Sequence, residues 1–101
     1  MTSKEEKFTE ILKYLEDIID KKSRSKDNDS YIYKLSQKGL NRITQKFGEE
    51  AVEVIIAAGT DNKQDLIYET ADLVFHLLIL LRRKKLSIED IAKELVRRKN
   101  D

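Results

Sequence analysis

The sequence predicts an all-α protein: an antiparallel bundle of four to five helices, packed as a homodimer or a higher oligomer. Three observations carry this. The chain has no proline and only three glycines in 101 residues, so little in it breaks a helix. Apolar residues recur at helical spacing in segment after segment. Residues 73–81 are apolar at every position but His76, so a helix there has no water-facing side and needs partners all round. A domain this small can scarcely supply them, which predicts a dimer packed through that helix.

Residues 1–101 read as one domain, without internal repeats or low-complexity tracts. Ser3 with Glu6 forms a capping-box pattern. Phe8, Ile11, Leu12, Leu15, Ile18 and Ile19 then share one face of a helix over about 4–22, to which we assign packing. Residues 22–30 are polar and predict a loop. Ser30 can cap a short helix from Tyr31 to about Gln37, stopped by Gly39.

Asn41 can cap a third helix over about 42–59. Its core stripe is Ile43, Phe47, Ala51, Val54 and Ala58. Arg42, Lys46, Glu49 and Glu53 run beside that stripe. Gly48 in the helix costs about 1 kcal/mol relative to alanine, so close approach of a backbone or ligand is expected there. Gly59 ends the helix. Asp61 with Gln64 can cap a fourth, over about 62–85, with Asp65, Glu69, Asp72 and His76 along one stripe. Ser87 with Asp90 caps a last helix over about 88–99. Ile88, Ile91 and Leu95 give it a thin apolar face, and Arg97, Arg98 and Lys99 suit its C-terminal dipole.

The chemistry concentrates in two phrases, E-E-x-x-E at Glu49, Glu50 and Glu53, and E-x-x-D at Glu69 and Asp72. Residues three or four apart lie roughly 60° or 40° apart on a helix, so each phrase shares a face. Neighbouring carboxylates repel unless a cation sits among them, and an all-oxygen set selects Mg²⁺, with Mn²⁺ possible. Charged residues are 39% of the chain, so solvated acidic faces are the bland alternative. Glu69 and Asp72 run straight into the apolar segment, which argues against open water for them. Lys46 lies one turn before Glu50 and suits a phosphate chain beside a metal. Lys34 and Lys38 are either a solvated basic edge or phosphate ligands across a polar loop.

Composition excludes several classes. A net charge of +1 argues against a nucleic-acid binder working through counterion release. The absence of cysteine removes disulfides and thiolate metal sites. No apolar run reaches the ~20 residues of a membrane span, and no signal pattern opens the chain. A cytoplasmic location is the expectation.

The run of Tyr31, Lys34, Lys38-Gly39, Arg42, Lys46, Gly48-Glu49-Glu50 and Glu53, followed by Tyr68-Glu69, Ala71-Asp72 and His76, resembles phosphoribosyl-ATP pyrophosphohydrolases of histidine biosynthesis. The likeness reaches from the first helix to about Arg98. The two acidic phrases alone indicate only the wider all-α nucleotide pyrophosphohydrolases, MazG-like proteins and dimeric dUTPases among them. The resemblance implies Mg²⁺-dependent hydrolysis of phosphoribosyl-ATP to phosphoribosyl-AMP and pyrophosphate in a homodimeric or larger bundle. It implies a separate phosphoribosyl-AMP cyclohydrolase, since this chain lacks the length and cysteines for one. On this reading Glu50, Glu53, Glu69 and Asp72 hold the metal, and Glu49 is a further ligand or the base that orients water. Glu49, Glu50 and Glu53 form the catalytic set, with base and ligand undivided. Lys34, Lys38, Arg42, Lys46 and His76 bind substrate. The alternatives are a house-cleaning nucleoside triphosphate pyrophosphohydrolase and a non-catalytic helical dimerisation module. A di-iron bundle fits poorly, because it uses paired Glu-x-x-His sequences and the chain has one histidine.

Overall fold

A computed structural model describes residues 3–25 and 29–100, with side chains over 7–25 and 29–99. Five α-helices follow in order: α1 (Ser3–Arg24), α2 (Tyr31–Lys38), α3 (Leu40–Ala58), α4 (Lys63–Arg83) and α5 (Ile88–Arg97), then a 3₁₀ turn over Arg98–Asn100. No strand occurs among the described residues. The proposed cap at Ser3 and Glu6 lies outside the described side chains.

The caps explain the boundaries. Ser30 accepts from the Tyr33 amide and starts α2 as expected. Gly39 ends α2 and also starts α3, at φ 91°, a conformation that favours glycine. The two helices therefore meet at a single residue. Asn41 falls inside the first turn of α3 and is not its cap. Asn62, one residue past the expected Asp61, caps α4 by accepting from the Asp65 amide at 3.1 Å. The Ser87–Asp90 capping box forms in full.

α3 and α4 make the most extensive helix contact, as an antiparallel hairpin closed over residues 59–62. α1 and α2 pack across it. The core joins Ile19 of α1, Ile32 and Leu35 of α2, Ile43 of α3, and Leu78 and Ile79 of α4. Two ties hold α1 in place. Arg82 of α4 grips Asp20 through two bonds of 2.9 and 2.8 Å, and Glu16 accepts from the Ile88 amide at 2.8 Å.

The expectation that residues 73–81 need an external partner is corrected in part. Leu78, Ile79 and Leu81 are buried within the chain, because α1 and α2 lie over them. Val74 and Leu77 instead floor an open apolar groove of about 520 Å³ between α1, α4 and α5. At Gly48 no described atom of the chain lies within 4 Å of where its Cβ would be, so no backbone of this chain makes the close approach expected there.

Candidate active site

The site forms where α3 and α4 face each other. α3 turns Ile43, Glu50 and Ala57 inward, all buried and seven residues apart. That spacing keeps one seam against a neighbouring helix. The expected stripe is shifted: Ala57, not Ala58, is buried, and Glu50 shares the inward face. Glu49 and Glu53 are exposed.

Glu50 is only 5% exposed. Its carboxylate hydrogen-bonds to Asp72 of α4 and pairs with Lys46 at 3.1 Å. Burial works to raise its pKa, but the bonds from Asp72 and Lys46 outweigh it and hold Glu50 below the ordinary carboxylate range. Asp72 moves the other way, raised by burial, by the hydrogen bond to Glu50 and by the charge of Glu50. Of the two, Asp72 is the carboxyl that gives up its proton less readily. Lys46 is raised chiefly by its bond to Glu50, so its ammonium stays charged.

His76 lies one turn after Asp72 and is 4% exposed. Its Nδ1 lies 2.8 Å from the Asp72 carbonyl oxygen, and its Nε2 lies 2.7 Å from Tyr31 Oη. A carbonyl only accepts, so Nδ1 carries the proton and Nε2 accepts from the tyrosine hydroxyl. The Tyr31 pKa is raised, first by desolvation, so the phenol keeps its proton. A ligand atom from each of Glu50, Asp72 and His76 lies within 4.8 Å of the others. Both ring nitrogens have partners within the chain, and Nδ1 also lies 3.3 Å from Asp72 Oδ1, so His76 steadies that carboxylate.

The other acids arrange around this pair. Glu69 is raised by burial first, then by the charges of Glu53, Glu50, Asp72 and Asp65. Glu53 and Glu69 thus sit close enough to feel each other across the seam. Glu49 turns aside. It meets Arg42 at 3.6 Å and Lys46 at 4.0 Å, and accepts from Gln45 Nε2 at 3.5 Å.

The structure thus brings together Lys46, Glu50, Asp72 and His76, with Glu53 and Glu69 at the margin. Lys34 and Lys38 are exposed on α2, and no described contact joins them to the acids. Arg42 reaches Glu49, not Glu50. Sequence reasoning gave Tyr31 no role in the site, since a contact across 45 residues leaves no local signal.

A carboxyl pair ringed by further acids and flanked by an ammonium suits a hard cation. The donor atoms are oxygen, and the repulsion felt at Glu69 is what a cation would relieve.

A family model described as phosphoribosyl-ATP pyrophosphohydrolase matches residues 12–99. Among curated relatives, a phosphoribosyl-ATP pyrophosphatase of Pyrobaculum islandicum is 44% identical over 89 residues, covering 88% of this chain and 95% of its own length. One of Clostridium acetobutylicum is 45% identical, covering 88% of this chain and 81% of its own length. The histidine biosynthesis bifunctional protein HisIE of Bacteroides thetaiotaomicron is 45% identical over 95 residues, 94% of this chain. This chain spans about half of that protein's length, 47%.

Proposed function

We propose that this chain, which belongs to the phosphoribosyl-ATP pyrophosphohydrolase family, hydrolyses phosphoribosyl-ATP to phosphoribosyl-AMP and pyrophosphate in histidine biosynthesis. The observation that carries the reading is the Glu50–Asp72 contact across α3 and α4, with Lys46 beside it.

Glu50, Glu53, Glu69 and Asp72 are the residues that would hold Mg²⁺. Bound there, the ion would neutralise polyphosphate charge and lower the pKa of a water. The protein's own groups supply the rest. Lys46 pairs with Glu50 in the free protein and can turn its charge on a phosphate oxygen. The base that takes a proton from the attacking water comes from the set Glu49, Glu50 and Glu53. Glu49 holds Arg42 and Lys46 on the substrate side of α3. His76 keeps Asp72 in place, with Tyr31 fixing its ring.

A homodimer is part of this proposal. The accessible surface is 7765 Å², against about 5900 Å² for a compact monomer of this mass. The radius of gyration is 15.1 Å, against about 12.7 Å for a compact chain. Val52, Ile55 and Ile56 on α3 and Ile67 and Tyr68 on α4 lie exposed, an apolar face beside the acids that a second copy can cover. No described helix is long and apolar enough to cross a membrane. A cytoplasmic location completes the reading.

The test is pyrophosphate release from phosphoribosyl-ATP with and without Mg²⁺, alongside dUTP and dCTP. Release only from phosphoribosyl-ATP, and only with the metal, is the expected result. Faster turnover of the other nucleotides would move the chain to house-cleaning chemistry.

A further inference from the structure

α5 stands off from the bundle, yet it is held in place. Glu16 of α1 accepts from the Ile88 amide at 2.8 Å, and Arg82 of α4 donates to the Leu86 carbonyl at 3.1 Å. With the Ser87–Asp90 capping box, these bonds fix where the helix starts. No side chain of its ten residues is buried. A helix of that length is marginal in water unless its apolar side is packed. Here that side, Ile91 and Leu95, lines the groove of about 520 Å³ whose other walls are Phe8 and Leu12 of α1 and Val74 and Leu77 of α4. Phe8 and Leu95 stay exposed.

Three features of this surface fit a second copy of the chain. The groove floor continues along α4: Ile67, Val74 and Leu77 follow at steps of seven and three and share one face of the helix. Ile67 belongs to the exposed apolar patch on α3 and α4 that the proposed homodimer covers. Val74 stands two residues from both Asp72 and His76, about 160° round the helix from each, so this face is on the far side of α4 from the acids. The groove also carries both signs of charge. Lys13 on α1 and Glu89 on α5 line it, and neither has an ion partner among the described residues. A two-fold interface pairs one patch with itself, so opposite charges on one rim can meet across the axis. Finally, the surface left to cover is large. The chain exposes 7765 Å², about 1900 Å² more than a compact monomer of its mass, whereas a standard interface takes about 800 Å² from each partner. A patch of that size on α3 and α4 accounts for less than half of the excess.

We propose that the groove seats a second copy of this chain, each copy laying the apolar side of its α5 into the groove of the other, with Lys13 of one against Glu89 of the other. This deepens the homodimer of the proposed function and rests on it: the patch on α3 and α4 and the groove form one continuous interface along α4. Each α4 is then braced on the side away from its acids.

The test is sedimentation velocity on the full chain over a dilution series. The wild type should be dimeric. Leu95→Lys removes an apolar contact twice per dimer without altering a buried residue, and should raise the dissociation constant about a hundredfold or more. Lys13→Glu and Glu89→Lys should each weaken self-association about fivefold, because like charges then face each other. An equimolar mixture of these two variants should recover wild-type association, since each mixed pair restores both contacts. A change confined to one chain's own fold cannot produce that recovery. Should Leu95→Lys lose its helical circular dichroism, the mixture alone decides. A well-folded Leu95→Lys within about threefold of the wild-type constant, or a mixture no tighter than its parts, would overturn the groove as an interface. Ile55→Lys probes the α3 patch separately, and if it alone breaks the dimer, the homodimer stands and the groove does not belong to it. A monomeric wild type would overturn both and leave the groove to a different protein. Pyrophosphate release from phosphoribosyl-ATP is read apart from these measurements, so its failure would sink the enzymatic reading and not the interface.

Discussion

The hydroxyl of Tyr31 and Nε2 of His76 meet at 2.7 Å, with the two rings edge to face at 5.7 Å between centroids. The contact ties the first residue of α2 to the middle of α4. Because Nδ1 is committed to the Asp72 carbonyl, the tyrosine fixes the tautomer and the ring plane together.

Tyr31→Phe removes the only described partner of Nε2. The expected cost is about 1 kcal/mol, seen as a Tm lower by roughly 4–8 °C. Since His76 orients an acid, kcat should fall while KM changes little. An unaltered Tm and kcat would show the bond to be incidental.

Asp72→Asn keeps the size of the side chain and its place on α4 but removes a charge from the acidic set. Turnover should fall by about a hundredfold or more. Mg²⁺ binding by calorimetry should weaken in parallel, with the helical circular dichroism retained. Full activity would exclude Asp72 as a ligand.

Lys46→Ala leaves Glu50 buried without its cation. Breaking a buried pair is costly, but Lys46 keeps some contact with solvent, so a loss of about 1–2 kcal/mol is expected in urea unfolding. Lys46→Met preserves the packing and should lose as much, because the missing element is charge. Both should raise KM for phosphoribosyl-ATP.

Asp90 gives a pH-dependent effect away from the site. Hydrogen bonds from the Ser87 backbone and side chain hold its pKa below the ordinary value. A depressed carboxyl contributes stability above its unfolded pKa of about 3.9 and loses it as pH falls through the folded value. Asp90→Asn should therefore lower Tm at pH 7, and the gap to wild type should close on acidification below that range. A gap that persists in acid would mean the charge is not what matters.

Local physics made much of this protein legible from sequence. Helix formation depends on neighbours within one turn, so five helices, the Ser30 cap and the Ser87–Asp90 box follow from adjacent residues. The acidic phrases follow too, since spacing alone assigns residues to a face. Where a boundary slipped, the cause was still local: Gly39 serves two helices at once, and Asn62 caps as well as Asp61 would.

What spacing leaves open is which of several adjacent faces turns inward. Glu49, Glu50 and Glu53 are equivalent by pattern, and only the packing of α3 on α4 buries Glu50 and turns Glu49 to Arg42. The same holds for His76, whose second partner lies on another helix. Such contacts join residues far apart in the chain, and their geometry is set by how whole helices cross. Sequence determined the helices and the residues that carry charge; tertiary structure decided which charges meet, because burial belongs to the assembled seam and not to either strip of residues that forms it.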